Sequence, residues 1–156
     1  MYQYQGKELE KILPHKNPMI LIDRVVNYDL QAKKLNAEVD IKPQKLFFDN
    51  VDNCVPVWVG IECMAQSVGA LSGIYCKQYK GSKIDLGFVI GVRNYECFTP
   101  GFKNGQCLTI KIEQLFFDSE LGAFDCVITD GAQILIKAQL NVFQPASPKD
   151  FLKKIK

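Results

Sequence analysis

Residues 55–81 have the sequence VPVWVGIECMAQSVGALSGIYCKQYKG, and this stretch decides the fold. It contains no proline after Pro56, and apolar residues occupy nearly every side of the helix that it predicts. A helix that is apolar all round is a buried one. Gly81 is expected to end it, because glycine readily adopts the left-handed conformation found at helix C-termini.

Five small residues lie within this predicted helix. A glycine inside a helix costs about 1 kcal/mol relative to alanine, so glycines at several positions need a compensating reason. Close packing against another backbone, such as the face of a sheet, would provide that reason. The five residues are Gly60, Ala65, Gly69, Ala70 and Gly73.

The segments around the helix predict strands. Alternation of apolar and polar residues, typical of an antiparallel sheet with one buried face, occurs in residues 34–41, 106–117, 123–130 and 133–143. Residues 19–29 and 83–98 are further predicted strands, residues 42–53 a loop, and a short helix is expected from about Lys7 until Pro14. This order predicts an α+β hot dog fold, in which one curved antiparallel sheet of about six strands wraps one long buried helix.

The composition indicates a single globular domain over residues 1–156. The chain is 47% hydrophobic and 23% charged, which suffices for a core. Its net charge of +2 is too small for a dedicated nucleic-acid binder. The polar start MYQYQGKELEKIL does not resemble a signal peptide, and no window is apolar enough to span a membrane. We therefore expect a cytoplasmic protein that binds neither nucleic acid nor membrane.

The six cysteines do not predict a special site. They lie at Cys54, Cys63, Cys76, Cys97, Cys107 and Cys126, without a C-x-x-C pair and without a histidine nearby in sequence. Zinc ligands usually come in closely spaced pairs, and disulfide frameworks belong to secreted proteins. We expect the six to be small reduced core residues, and we expect neither a metal nor a cofactor.

Glu62, Gln66 and His15 are the candidate functional residues. Glu62 lies in the opening turns of a helix that is otherwise apolar, where a carboxylate is unexpected unless it has a task. Gln66 lies one turn later on the same face. His15 is the only histidine, and it can act as acid or base or simply donate to a backbone carbonyl. We expect His15 to reach a cleft that Glu62 also faces, in one subunit or across a dimer.

Two motifs carry a family resemblance. LPHKNPMILIDRV, Leu13 to Val25, and VPVWVGIECMAQSVGAL, Val55 to Leu71, resemble motifs of the β-hydroxyacyl-(acyl carrier protein) dehydratases of bacterial fatty acid synthesis. With LGFVIGVRNYECFTPGFKNG the resemblance spans Leu13 to about Phe143, and it is strongest to the dehydratase-like proteins of aryl polyene clusters.

The resemblance implies removal of water from a 3-hydroxyacyl thioester on an acyl carrier protein. In the family a histidine and a helix carboxylate share the proton transfers across a dimer interface. Glu62 falls on the carboxylate, whereas the position of the family's loop histidine is Phe48 here. The catalytic residues implied are therefore His15 and Glu62, and the substrate-binding residues implied are Trp58, Gly60 and Gln66. The apolar tunnel is expected around Trp58, Met64, Phe88 and Ile90.

Two alternatives stay open. The chain could be a non-catalytic hot dog subunit that binds acyl chains and completes a partner dehydratase, or it could be an acyl thioesterase. In every case we expect a homodimer or a hetero-oligomer with a related dehydratase, since the curved sheet leaves an edge and a face to be covered. A basic rim for an acidic carrier protein is expected among Lys77, Lys80, Lys83 and Arg93.

Overall fold

The computed structural model describes residues 3–81, 87–145 and 153–154. One long helix, α1, packs on an antiparallel sheet, as the sequence predicts. None of the described helices has the length and apolar character needed to span a membrane. The elements, in chain order, are β1 (Tyr4–Gln5), a 3-10 helix (Gly6–Lys11), β2 (Arg24–Asp29), β3 (Lys34–Asp40), β4 (Cys54–Val55), α1 (Val59–Tyr75), a π-helical turn (Cys76–Lys80), β5 (Phe88–Cys97), β6 (Phe102–Lys103), β7 (Cys107–Asp118), β8 (Leu121–Asp130) and β9 (Gln133–Phe143).

The sheet has seven strands among the described residues, one more than the number expected. Their order is β1-β2-β3-β7-β8-β9-β5, and every neighbouring pair is antiparallel. The additional strand is β1, whose two residues pair with Arg24 and Val25 and are too few to show a periodicity. The short strands β4 and β6 form a separate ribbon.

The N-terminal segments differ in detail from the expected ones. The first helix is a 3-10 helix that ends at Lys11, before Pro14. The strand expected from Met19 begins only at Arg24, because the preceding residues lie against α1 and bond to a helix side chain. Residues 82–86 lie outside the described residues, so the strand expected from Lys83 is described only as β5.

The core lies between α1 and the inner face of the sheet. Eleven of the 17 residues of α1 are buried, as expected for a helix that is apolar all round. The helix continues through the π-helical turn and ends at Gly81, which has φ +62° as predicted for its C-terminus. The alternating residues of β3, β7, β8 and β9 supply the sheet side of the core, with Leu35, Ile110 and Ile128 fully buried.

The small residues of α1 allow two close contacts. A Cβ at Gly60 would lie 3.0 Å from the Cδ1 atoms of Ile128 and Ile136, so the helix touches the sheet there. A Cβ at Gly73 would lie 1.8 Å from the carbonyl oxygen of Ile12. The backbone that approaches α1 most closely at Gly73 is therefore the N-terminal segment and not the sheet.

Arg24 joins β2 to β3 through two carboxylates. Its guanidinium donates to Glu38 Oε1 at 2.7 Å and to both oxygens of Asp40 at 2.7 and 2.8 Å. The hydrogen bonds from Arg24 lower the pKa of the Asp40 carboxyl to about 2. The neighbouring Asp23 accepts from the Asp40 backbone N–H and pairs with Lys45. The Asp-Arg pair of the first motif therefore holds the strand pair and the loop at Lys45 in place.

Gly73→Ala should destabilise the protein strongly, whereas Gly69→Ala should not. A methyl group at Gly73 overlaps the Ile12 carbonyl, and backbone cannot move aside as a side chain can; overpacking costs about 1–3 kcal/mol or more. At Gly69 the nearest atom is Leu13 Cδ2 at 3.4 Å, an ordinary contact, and alanine favours the helix by about 0.5–1 kcal/mol. Urea unfolding of both variants measures the difference, and equal stability would contradict the close contact at Ile12.

Candidate active site

His15 and Glu62 face each other at one cavity. His15 lies in the segment between the 3-10 helix and β2, and Glu62 lies in the first turn of α1. The Nε2 atom of His15 is 3.7 Å from Oε1 of Glu62, which is within ion-pair distance. Both side chains line an apolar cavity of about 310 Å³. Forty-seven positions of sequence separate the two residues, so only the tertiary fold brings them together.

Neither side chain is deeply buried in the described chain. The side chain of Glu62 is 44% exposed and that of His15 is 34% exposed. The sequence suggests a more buried Glu62, but the carboxylate faces the open cavity instead of the core. This exposure leaves both groups accessible to a ligand in the cavity.

The imidazole of His15 is not held by the backbone. Its Nδ1 atom is buried and has no hydrogen-bond partner among the described residues. A purely structural histidine at this position would be expected to donate to a backbone carbonyl. The side chain that faces its other nitrogen is the carboxylate of Glu62. Among the described residues, the approach of the imidazole is therefore to the Glu62 carboxylate and not to a backbone carbonyl.

Gln66 joins the two segments that carry His15 and Glu62. Its side chain is buried, with 1% exposed, and its Oε1 accepts from the Leu21 backbone N–H at 2.8 Å. Its Nε2 donates to the Met19 carbonyl at 2.8 Å and to Oε1 of Glu62 at 3.2 Å. Both ends of the amide are therefore engaged within the protein, and they fix the chain just after His15 against α1.

Trp58 and Gly60 do not line this cavity. Gly60 lies two positions before Glu62, which places it on another side of the helix, where it packs on the sheet. Trp58 precedes the first helical residue and is 59% exposed, with its ring edge-on to Phe47 at 5.2 Å between centroids. Their expected substrate contacts therefore have no counterpart at the cavity beside Glu62.

Only one of the other residues expected around the tunnel lines the cavity. Phe88 lines the cavity, whereas Met64 is fully buried in the core and Ile90 is 59% exposed on β5. The rest of the sheet wall consists of residues that the expected tunnel does not include, among them Phe117, Phe124 and Val142. The alternating pattern marks Phe124 and Val142 as inward-facing, whereas Phe117 reaches the cavity because the strand pairing shifts between Gln114 and Phe116.

Phe48, the position at which the resemblance implies a loop histidine in the related dehydratases, packs against the hydrophobic core. The preceding residue, Phe47, has φ +71°, a conformation that bulky residues rarely adopt. This turn of the backbone directs Phe47 toward Trp58 while Phe48 lies partly buried. Phe48 therefore serves packing and has no group that could transfer a proton.

The first amides of α1 already have acceptors. The N–H groups of Val59, Gly60 and Ile61 donate to the carbonyls three residues earlier at 3.1, 2.9 and 3.2 Å. These three amides are therefore engaged within the protein.

The described residues of the expected basic rim are exposed and do not line the cavity. Lys77 and Lys80 are exposed on the π-helical turn, where Lys77 lies over the ring of Tyr4 at 5.3 Å, and Arg93 is exposed on β5. Lys83 lies outside the described residues.

All six cysteines are free thiols, as expected, but only three of them are core residues. Cys63, Cys76 and Cys126 are buried, whereas Cys54 is partly exposed and Cys97 and Cys107 are exposed. Burial raises the pKa of the Cys63 thiol to about 12, so this residue next to Glu62 is not a nucleophile.

Gln66→Leu should destabilise the fold by about 2–4 kcal/mol, because the buried Leu21 N–H and Met19 carbonyl lose their partners. Gln133→Leu, a change of the same type at an exposed position, should have little effect. Urea unfolding compares the two variants. A loss of stability no larger than that of the control would mean that the amide of Gln66 does not hold the His15 segment against α1.

Comparison with known proteins agrees with this fold. Residues 7–153 match the model of the family described as "ApeP-like: ApeP dehydratase". A chain of the dehydratase heterocomplex ApeI:P from Xenorhabdus doucetiae is 30% identical and superimposes with a TM-score of 0.85, covering 95% of this chain and 97% of that chain.

Curated relatives include 3-hydroxyacyl-[acyl-carrier-protein] dehydratases named FabZ. The protein of Chlamydia trachomatis serovar L2 is 26% identical over 86% of this chain and 88% of its own length. That of Pasteurella multocida is 27% identical over 87% and 88%. A hypothetical thioesterase from Streptococcus pneumoniae, 14% identical with a TM-score of 0.59 over 78% of this chain and 84% of its own, shares the fold alone. The match over residues 7–153 shows that this chain belongs to the ApeP-like family of dehydratases.

Proposed function

We propose that this protein removes water from 3-hydroxyacyl thioesters carried by an acyl carrier protein, and that His15 and Glu62 move the two protons involved. The observation that carries this proposal is the 3.7 Å approach of His15 Nε2 to Glu62 Oε1 at the wall of an apolar cavity. Membership of a dehydratase family supports the reaction class, and the names of the FabZ relatives support the substrate class.

The reaction needs one base and one acid close together. A base takes a proton from the carbon beside the thioester carbonyl, and the electron pair of that bond forms the new double bond. The carbon–oxygen bond at the next carbon breaks, and an acid protonates the departing hydroxyl, so that water leaves. Because the two reacting carbons are adjacent, the base and the acid can be neighbours, as His15 and Glu62 are.

A single proton shared by the pair is sufficient for one turnover. The reaction takes a proton from carbon and returns one to oxygen, so the pair ends with as many protons as it had at the start. Fully deprotonated, the pair has no acid, and doubly protonated it has no base. Two groups of different chemistry at one site fit this requirement better than a lone carboxylate.

The same site admits a second candidate, a subunit that needs a related dehydratase. Two points are in its favour: Phe48 stands where the resemblance implies the loop histidine, and the 30% identical chain belongs to a dehydratase heterocomplex. In that case Glu62 would act on substrate together with a histidine of the partner. No observation favours the thioesterase alternative, since the likeness to a thioesterase extends to the fold alone.

An assay on 3-hydroxyacyl carrier protein tests the proposal. The purified chain is incubated with it, alone and with a related dehydratase subunit, and mass spectrometry follows the acyl group. Loss of one water with the chain alone is the expected result. Free acid in place of the dehydrated thioester would indicate a thioesterase, and no change in either mixture would reject the proposal.

Glu62→Gln and His15→Asn should each lower turnover by about 10²–10⁴-fold, the usual contribution of a positioned acid or base. Both side chains are more than a third exposed, so the melting temperature should change little. Glu8→Gln, on the exposed side of the 3-10 helix, is the matched control and should remain fully active. If Glu62→Gln abolishes activity in the mixture while His15→Asn does not, the partner supplies the histidine and the second candidate is correct.

We also propose that the protein works as a dimer, with a second copy or a related dehydratase as the other subunit. The ten-residue strand β5 is an edge of the sheet, and its exposed apolar residues include Val89, Ile90 and Val92. A long apolar edge strand is a surface for strand pairing. Light scattering at micromolar concentration should give a dimeric mass, alone or after mixing with the related subunit.

Ile90→Lys should shift the mass toward the monomer, because it places a charge on the apolar edge. Val51→Lys introduces the same charge in the loop before β4, at a side chain that is 93% exposed, and should leave the mass unchanged. A strictly monomeric wild-type protein in both preparations would reject the dimer.

A further inference from the structure

The cavity follows one face of α1. Glu62, Ala65, Gly69 and Ser72 line it at spacings of three and four residues, which is one side of a helix. Ten residues of helix span about 15 Å. Beyond Glu62 the helix residues that line the cavity are small except for Val68, so the helix leaves an elongated space beside it. The pair of His15 and Glu62 lies at the end of the cavity nearer the helix N-terminus.

The wall at the other end is built where β7 and β8 meet in a hairpin. Phe117 pairs with Gly122, and Gly122 pairs with Val142 on the next strand. On β8, Ile128 contacts the helix at Gly60, two residues before Glu62. Six residues of strand, about 20 Å, separate Gly122 from Ile128. Phe117 therefore lies at the hairpin end of β8, away from the part of this strand that contacts the helix two residues before Glu62.

The ring of Phe117 rests directly on Gly122. A Cβ on Gly122 would lie 2.6 Å from Cδ2 and 3.1 Å from Cε2 of this ring, so only glycine leaves room for it. Phe117 is 39% exposed, more than the other three phenylalanines that line the cavity, whereas Phe124 behind it is 2% exposed. The strand is also irregular between Gln114 and Phe116, just before it. Phe117 is thus the least tightly packed of the four phenylalanines that line the cavity.

We propose that Phe117, seated on Gly122, closes the far end of the cavity and sets the longest acyl chain that the protein accepts. This inference rests on the proposed function, in which the cavity holds the acyl chain. A thioester placed at His15 and Glu62 directs its chain along the small residues of α1 toward the ring. A longer acyl chain then requires the ring of Phe117 to move away from Gly122.

Phe117→Ala tests the inference, with Phe116→Ala as the matched control. Phe116 is the next residue on the same strand, is 55% exposed, and does not line the cavity. A series of 3-hydroxyacyl carrier proteins of increasing chain length is assayed with the assembly that proves active. For chains just beyond the wild-type limit, Phe117→Ala should raise kcat/KM about tenfold or more relative to short chains, the usual effect of a methylene-sized change in an apolar pocket.

An unchanged length profile in Phe117→Ala, or the same change in Phe116→Ala, would overturn the inference. Phe117→Leu keeps an apolar side chain of smaller size and should give an intermediate limit. It replaces the alanine variant if thermal unfolding shows that the latter does not fold.

A binding measurement separates this inference from the proposed reaction. S-alkyl pantetheine thioethers of the same chain lengths cannot be dehydrated, and calorimetry measures their affinity. A wild-type length limit that Phe117→Ala relaxes, in a protein without dehydratase activity, supports the inference and rejects the reaction. If the protein dehydrates its substrate with a chain-length limit that Phe117→Ala does not change, the reaction is supported and the inference is rejected. A wild-type protein that neither binds nor dehydrates any member of the series overturns both.

Discussion

One buried side-chain amide holds the candidate site together. Gln66 accepts from Leu21 N–H and donates to the Met19 carbonyl, and it also donates to Glu62 on its own helix. A buried amide left without partners costs about 1–3 kcal/mol for each missing bond. The segment after His15 therefore has to lie against α1 at Gln66. This position brings His15 close to Glu62, one turn earlier on the helix. A second constraint acts about two turns further along α1, where Gly73 leaves room for the backbone of Ile12.

The fold could be predicted where one face of an element is buried and the other is not. Strands β3, β7, β8 and β9 show clean alternation because their inner residues meet α1, and all four are confirmed. The prediction was wrong for residues 19–23, which are apolar enough for a strand but face the helix and bond to Gln66. The strand β1 was missed because its two residues carry no periodicity, and their pairing with β2 is a tertiary contact.

The site could be predicted in part, and the limit is geometric. Glu62 stands out because a carboxylate is unusual in an apolar helix, and His15 because it is the sole histidine. Their distance depends on the path between them and could not be obtained from either motif. Gly60 was expected at the substrate, but two positions along a helix turn a residue away from its neighbour's face. The ring of Phe117 on Gly122 requires strand register, which the alternating pattern does not fix.

Phe48, where the resemblance implies a loop histidine, and the position of His15 are best understood together. In the loop, Phe47 adopts a strained conformation that turns Phe48 toward the core, so this position contributes packing energy in place of a proton carrier. Glu62 nevertheless lines the cavity, at a position where a residue that served packing alone would be apolar. A carboxylate retained there needs a second titratable group, and within the described chain His15 is the histidine that faces it. Because Gln66 joins their two segments, the proposed pair does not depend on the edge strand β5. The proposed dimer then has a separate task, which is to cover the apolar edge and not to bring these two residues together.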